Sequence, residues 1–131
     1  MNPSKISNMN AIESQLQLYF DGLYHSDTQR LRQVFHPQAI YACVVDGHLL
    51  HYTMDQYFPI VDQRPSPASR AQPRQDRIVS IEILGTNTAM ARVECAIAPK
   101  QFQDVLSFLY LDGRWQIIAK VFAVYLDNSS Q

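Results

Sequence analysis

At 131 residues the chain has the size of one domain, long enough to bury a core without metal or disulfide staples. Apolar residues make up 47% and charged residues 18%, with seven Tyr and six Phe, which excludes extensive disorder away from the ends. The formal net charge is -1 and the eleven Lys and Arg are scattered, so no basic stripe can neutralise a phosphate backbone and no nucleic-acid partner is expected.

Met1 to Asn10 is polar and lacks the apolar run and cleavage site of a secretory signal. No stretch approaches the roughly 20 apolar residues of a membrane helix, so a soluble cytoplasmic protein without membrane partners is expected. Residues 1–9 are read as a frayed tail, 10–126 as a single domain and 127–131 as a second frayed tail.

From Asn10, the residues Ile12, Leu16, Tyr19, Phe20 and Leu23 recur at helical spacing, predicting a one-faced helix that ends near Gly22. A second, shorter helix starts with Ser26 or Asp27 as its cap, presents Leu31, Val34 and Phe35 on one side, and stops at Pro37. Ala39 to Val45 and His48 to Tyr52, separated by Asp46-Gly47, read as a two-residue hairpin. Thr53 followed three residues later by Gln56 fits a capping box that opens a third helix, with Pro59 inside it. Asp62 to Asp76, with Pro65, Pro67 and Pro73, shows no periodicity and reads as an exposed loop.

Beyond the loop the period changes to two. Val79, Ile81 and Ile83, then Ala89, Ala91, Val93, Cys95 and Ile97, mark two half-buried strands joined at Gly85-Thr86-Asn87. Gln101 to Leu111 and Arg114 to Leu126 form a second hairpin across Asp112-Gly113. With that turn, strict alternation pairs Tyr110 with Trp115, Phe108 with Ile117, Leu106 with Ala119 and Asp104 with Val121 on one face. It pairs Val105 with Lys120, Ser107 with Ile118 and Leu109 with Gln116 on the other. Both faces carry large hydrophobes. Helices would cover one, and a second copy of the chain is the simplest cover for the other, so a homodimer is expected.

Several segments carry a family resemblance: Leu18-Tyr19-Phe20-Asp21-Gly22-Leu23, Phe35-His36-Pro37-Gln38-Ala39, Asp46-Gly47 before Thr53-Met54-Asp55-Gln56-Tyr57-Phe58, and Asp112-Gly113-Arg114-Trp115 through Phe122. Together with the element order, they make residues 10 to 126 resemble the nuclear transport factor 2-like superfamily. Within it, the resemblance is to the putative lumazine-binding and polyketide-cyclase-like subgroup with its cystatin-like fold. The resemblance implies an α+β fold, with N-terminal helices packed in the concave face of a strongly curved, mixed but mainly antiparallel sheet, a cone-shaped barrel with a pocket. It implies no single chemistry, because isomerases, cyclases, dehydratases and plain binding proteins share this scaffold.

Asp104 is the sharpest candidate residue. A carboxylate on an apolar strand face pays a desolvation cost unless it is paired, and such a group suits either a general base or a structural acceptor. In ketosteroid-isomerase-like members an acid on an inner strand moves a proton beside a carbonyl, and Asp104 resembles it. His36, at the expected end of the second helix, either enters the cavity as a second catalytic group or bonds a free carbonyl. Tyr19, Tyr41, Tyr52, Tyr57 and Phe58, with Phe108 and Trp115 from the last hairpin, would wall a pocket for a small apolar or aromatic ligand, or simply form core. Lys120, on the opposite face to Trp115 by strand parity, would stretch along the outer surface. Cys43 and Cys95 have no CxxC spacing and read as buried free thiols, and His48 and His51 fall on opposite strand faces. No metal site and no cofactor are expected.

Two functions are open: a small-molecule-binding domain, either a plain binder or a cofactor-free isomerase, cyclase or dehydratase acting on a carbonyl-bearing ring compound, or a non-catalytic homodimeric interaction or assembly module whose cavity is filled by its own side chains. An open cavity of a few hundred Å3 separates them.

Overall fold

The computed structural model describes residues 4–126. The chain runs α1 (Lys5–Tyr24), α2 (Thr28–Val34), β1 (Phe35–Val45), β2 (His48–Thr53), α3 (Met54–Gln63), a short 3-10 turn at Ala68–Arg70, and then β3 (Arg77–Leu84), β4 (Thr88–Ile97), β5 (Lys100–Leu111) and β6 (Arg114–Leu126). The expected tail at 127–131 lies outside the described residues.

Helix α1 starts at Lys5 rather than Asn10, because the Ser4 hydroxyl accepts the Ser7 N–H at 3.1 Å and caps it. Part of the expected N-terminal tail is therefore helical. Ile12, Leu16, Tyr19, Phe20 and Leu23 form its buried stripe as expected. Gly22 does not end the helix. It lies where Leu31 of α2 packs, and a Cβ there would come within 2.6 Å of Leu31 Cδ2. Asp27 caps α2 by accepting the N–H groups of Gln29 and Arg30. That helix ends at Val34, and Phe35 already belongs to β1, so Pro37 lies within a strand and does not stop a helix.

Both Asp-Gly turns take left-handed backbone at both positions, with φ of 50° and 78° at Asp46 and Gly47 and 54° and 80° at Asp112 and Gly113. This is the geometry that matches the twist of two-residue hairpins. The capping box of α3 is complete: Thr53 accepts the Gln56 N–H while the Gln56 side chain accepts the Thr53 N–H at 2.9 Å.

The strands form one open sheet in the order β2-β1-β6-β5-β4-β3, with β1 and β6 parallel and the other neighbours antiparallel. The α+β class is as expected, with β2 and β3 as edges. The helices cover one face, where Ala89, Ala91, Val93, Leu106, Phe108, Trp115 and Ile117 meet the buried stripes of α1, α2 and α3. Side chains tie α1 to the sheet: Trp115 donates its indole N–H to Asn8 at 3.3 Å, and Gln15 donates to the Trp115 carbonyl at 2.8 Å.

The last hairpin departs from strict alternation at one point. Tyr110 faces Trp115, Leu109 faces Gln116 and Phe108 faces Ile117 as expected, but the register then slips, and Ser107 faces Ala119. Below the slip Leu106 pairs with Lys120, Val105 with Val121 and Asp104 with Phe122, not with the residues that unbroken alternation assigns. One extra residue on β6 is a β-bulge, and it turns every following side chain to the opposite face. Lys120 and Phe122 are thereby brought to the helix-covered face, while Val121 points outward.

Candidate functional site

Lys120 and Asp104 meet beneath the helices. Both are buried, at 4% and 2% exposure, and Lys120 Nζ lies 4.0 Å from Asp104 Oδ2. The same oxygen accepts a hydrogen bond from the Tyr19 hydroxyl at 2.6 Å, and the Cys95 thiol stands 3.9 Å from it. Asp104 Oδ1 is buried with no hydrogen-bond partner among the described residues. Around the ammonium, the rings of Tyr19, Tyr41, Tyr57 and Phe122 have centroids 5.1 to 5.7 Å from Nζ, an aromatic cage suited to a cation. Tyr41 and Tyr57 stack on each other at 4.4 Å between centroids.

Above this group opens a cavity of about 260 Å3. Tyr41, Cys43 and Tyr52 of the first hairpin, Tyr57 and Arg64 of α3 and its end, and Lys120 and Phe122 of β6 contribute to its wall. Lys120 and Cys95 are the lining residues whose polar atoms approach the Asp104 carboxylate, and the carboxylate itself is not part of the lining.

The electrostatics follow from burial. Burial alone would lower the Lys120 ammonium, but Tyr57, Asp104 and Tyr41 outweigh it and hold the group above its ordinary range. The Tyr19 phenol is pushed well up by burial and then by the Asp104 anion that it faces. Burial raises Tyr41 to about 12 despite the nearby Lys120 cation, and it raises Cys95 to about 12 with help from Asp104. The arrangement places the Lys120 amine in the cavity wall beside the Asp104 carboxyl, flanked by the Tyr19 and Tyr41 hydroxyls and the Cys95 thiol, and the amine, hydroxyls and thiol all hold their protons more tightly than usual.

Of the residues expected to form the site, Asp104, Tyr19, Tyr41, Tyr52 and Tyr57 are brought together here. His36 is not. Because β1 begins at Phe35, whose ring enters the core, His36 turns the other way, and its Nδ1 accepts the Gln38 N–H at 3.0 Å. Phe58 and Phe108 are core rather than cavity wall, with the Arg32 guanidinium 4.6 Å over the Phe58 ring. Trp115 lines a separate surface cavity with Asn8, Gln15 and Arg114, away from Lys120. Both thiols are free and buried. His48 and His51 are exposed. Lys120 is the residue that alternation misplaces. A signal was nonetheless present: Trp115 and Phe122 are large aromatics of opposite parity on one strand, and both can be buried on one face only if a bulge lies between them.

Helices covering one face of an open mixed sheet, with a cavity between them, define a nuclear transport factor 2-like protein of cystatin-like fold. A protein of that class from Shewanella baltica, of unknown function, superposes with a TM-score of 0.86 at 25% identity, covering 96% of this chain and 100% of its own. A ketosteroid isomerase-like protein from Erwinia carotovora atroseptica shares the fold at a TM-score of 0.70 and 10% identity, over 92% of this chain and 98% of its own. The chain belongs to the family described as "Putative lumazine-binding", whose model matches residues 7–123. It is also similar to Aldolase FrzH of Cladobotryum sp, 25% identical over 121 residues, which span 91% of this chain and 93% of that protein.

No helix among the described residues is long and apolar enough to cross a membrane.

Proposed function

We propose that the chain binds a carbonyl-bearing ring compound in the cavity between β1, α3 and β6 and acts on it as a cofactor-free enzyme of enolate-forming chemistry. The observation that carries this reading is the buried Lys120 ammonium on the floor of an aromatic-lined cavity. An ammonium held in place before the reaction stabilises negative charge that develops on a carbonyl oxygen without reorganisation cost, while the proton that leaves the adjacent carbon passes to solvent water in the open cavity. Tyr41 and Tyr57 offer ring faces for stacking and hydroxyls for orientation. Asp104 is then a positioning residue. It holds the ammonium from behind and is itself fixed by Tyr19. The similarity to an aldolase supports this class of chemistry, since an aldol step passes through an enolate or enol.

The test is solvent deuterium exchange at carbons beside the carbonyl of cyclic ketones, followed by NMR, with thermal-shift measurement of binding alongside. A ligand at about 100 times its Kd adds roughly 2.7 kcal/mol of stability. Lys120→Met is expected to lose exchange at least about a hundredfold, as for removal of an oxyanion donor. Exchange retained in that variant removes Lys120 from the mechanism, and binding without exchange in the wild type leaves a binding protein.

A homodimer belongs to the same proposal. On the uncovered face of the sheet Val121 of β6 and Val105 of β5 are cross-strand partners, 49% and 39% exposed, and Val44 of β1 is 69% exposed. A second copy would cover this apolar row. Light scattering that gives a monomer mass at micromolar concentration refutes it.

A further inference from the structure

The sixteen residues that line the cavity include Arg64, Lys100 and Lys120 but no Asp or Glu. Lys120 has its counterion in Asp104. Among the described residues neither Arg64 nor Lys100 enters an ion pair. Arg64 is half-buried, and its Nε is a buried donor without a hydrogen-bond partner. A buried donor left unpaired costs free energy that a bound acceptor can recover. Two of the cavity's own groups, the Tyr41 hydroxyl and the Cys95 thiol, lie within the fields of both Lys120 and Arg64, so the two cations act on one space. Asp76, another carboxylate in the field of Cys95, is bound to Arg74 at 2.9 Å and does not line this cavity.

We propose that the natural ligand is an anion, a ring compound bearing a carboxylate, whose acid group is held by the otherwise unpaired Arg64 with Lys120 contributing to the field. The inference rests on the cavity being the binding site. It adds what the site selects: Arg64 recognises the acid through a planar fork suited to a carboxylate, and the tyrosine rings receive the apolar body. Lys100 at the exposed rim adds long-range attraction.

A matched pair of probes tests it, 2-naphthoate against 2-naphthamide, which share a ring and differ in charge, titrated by calorimetry at low ionic strength. Hydrogen bonds to a charged group are worth about 1.5–3 kcal/mol, so the carboxylate should bind at least about tenfold more tightly than the amide. Arg64→Gln should remove most of that preference by weakening carboxylate binding far more than amide binding, and Arg64→Lys should keep a substantial part of the preference. Arg64 lies at the end of α3 with its side chain partly exposed, so both variants are expected to fold, which circular dichroism verifies. Equal binding of the two probes, or an Arg64→Gln variant that weakens both alike, overturns the anion inference. Leu50→Trp, which fills the cavity from β2, separates that outcome from failure of the underlying reading. If it abolishes equal binding of both probes, the cavity is the site but is not selective for an anion. If binding persists in the filled variant, or neither probe binds the wild type, the cavity reading falls and the inference with it.

Discussion

Breaking the Lys120–Asp104 pair one partner at a time should cost far more than removing both, and the cycle of Asp104→Asn and Lys120→Met measures the difference. At the observed 4.0 Å, opposite unit charges attract by about 4 kcal/mol at an effective dielectric near 20. Both side chains are almost fully removed from solvent, so a desolvation cost of similar size opposes that attraction and the pair's net contribution is small. Asp104→Asn leaves an ammonium on the cavity floor with no anion behind it. Lys120→Met leaves a carboxylate supported by the Tyr19 hydroxyl. Each single change is expected to cost about 3 kcal/mol, against a total of about 5–15 kcal/mol for a domain, so the variants remain folded and measurable. The double variant buries neither charge and keeps similar volumes, and it should cost less than either single change. Urea unfolding at neutral pH, followed by circular dichroism and by Trp115 fluorescence, gives the four free energies. A coupling of at least about 2 kcal/mol is expected, and costs that add within about 0.5 kcal/mol would show that the two groups do not sense each other.

Alkaline pH should destabilise the fold, and the sign follows from the raised groups. Cys95, Tyr19, Tyr41 and Lys120 hold their protons more tightly in the folded chain than at their ordinary values of 9.0, 10.0, 10.0 and 10.5. Above those values the unfolded chain has released protons that the folded chain keeps, so stability is complete below about pH 9 and is lost as pH rises, at up to about 1.4 kcal/mol per pH unit for each group. Urea midpoints between about pH 8 and pH 11 check this, Cys95→Ala should lessen the earliest part of the decline, to which Cys43, also raised from 9.0 by burial, contributes, and a flat profile contradicts the burial argument. Gly22→Ala should destabilise by about 1–3 kcal/mol, because the new methyl meets the buried Leu31 side chain at 2.6 Å and forces it to shift within a packed core. A gain in thermal midpoint, as for an ordinary helix Gly→Ala change, would show that the two helices have room to spare. Tyr19→Phe deletes the 2.6 Å hydrogen bond to Asp104 and leaves that oxygen only the longer contacts with the Cys95 thiol and the Lys120 ammonium, at a cost of about 1–3 kcal/mol. A cost below about 0.5 kcal/mol would mean that water replaces the hydroxyl.

Local chemistry made most of the fold legible. The stripe from Ile12 to Leu23, the Asp27 cap, the Thr53–Gln56 box and two Asp-Gly turns each describe a structure that a few neighbouring residues determine by themselves, and each is present. The misread positions are those where a distant partner decides. Gly22 looks like a helix stop until Leu31 is known to pack on it. Pro37 looks like another until Phe35 is seen paired with Ile117 of β6, which makes its neighbourhood a strand. The placement of His36 failed with it, because a helix end and a strand point the same side chain in different directions.

Half of the candidate site was legible for the same reason. Asp104 lies above no irregularity that changes its own face, and its neighbours Leu106 and Phe108 share its parity and its burial. Lys120 lies on the far side of the β6 bulge, and that bulge depends on two long-range pairings. In β5 the register slips between Ser107 and Phe108, and in the parallel pairing with β1 it slips between Phe35 and Ile40. The opposite parity of Trp115 and Phe122 calls for a bulge between them, but no local pattern fixes it at Ile118 and Ala119. The consequence reaches the chemistry. Without the extra residue, Lys120 would lie beside Val105 on the uncovered face, Asp104 would be buried with no cation, and the cavity floor would carry no ammonium. One inserted position in a strand thus creates the ion pair and puts an ammonium in the pocket wall, which makes the bulge as much a part of the candidate site as either charged side chain.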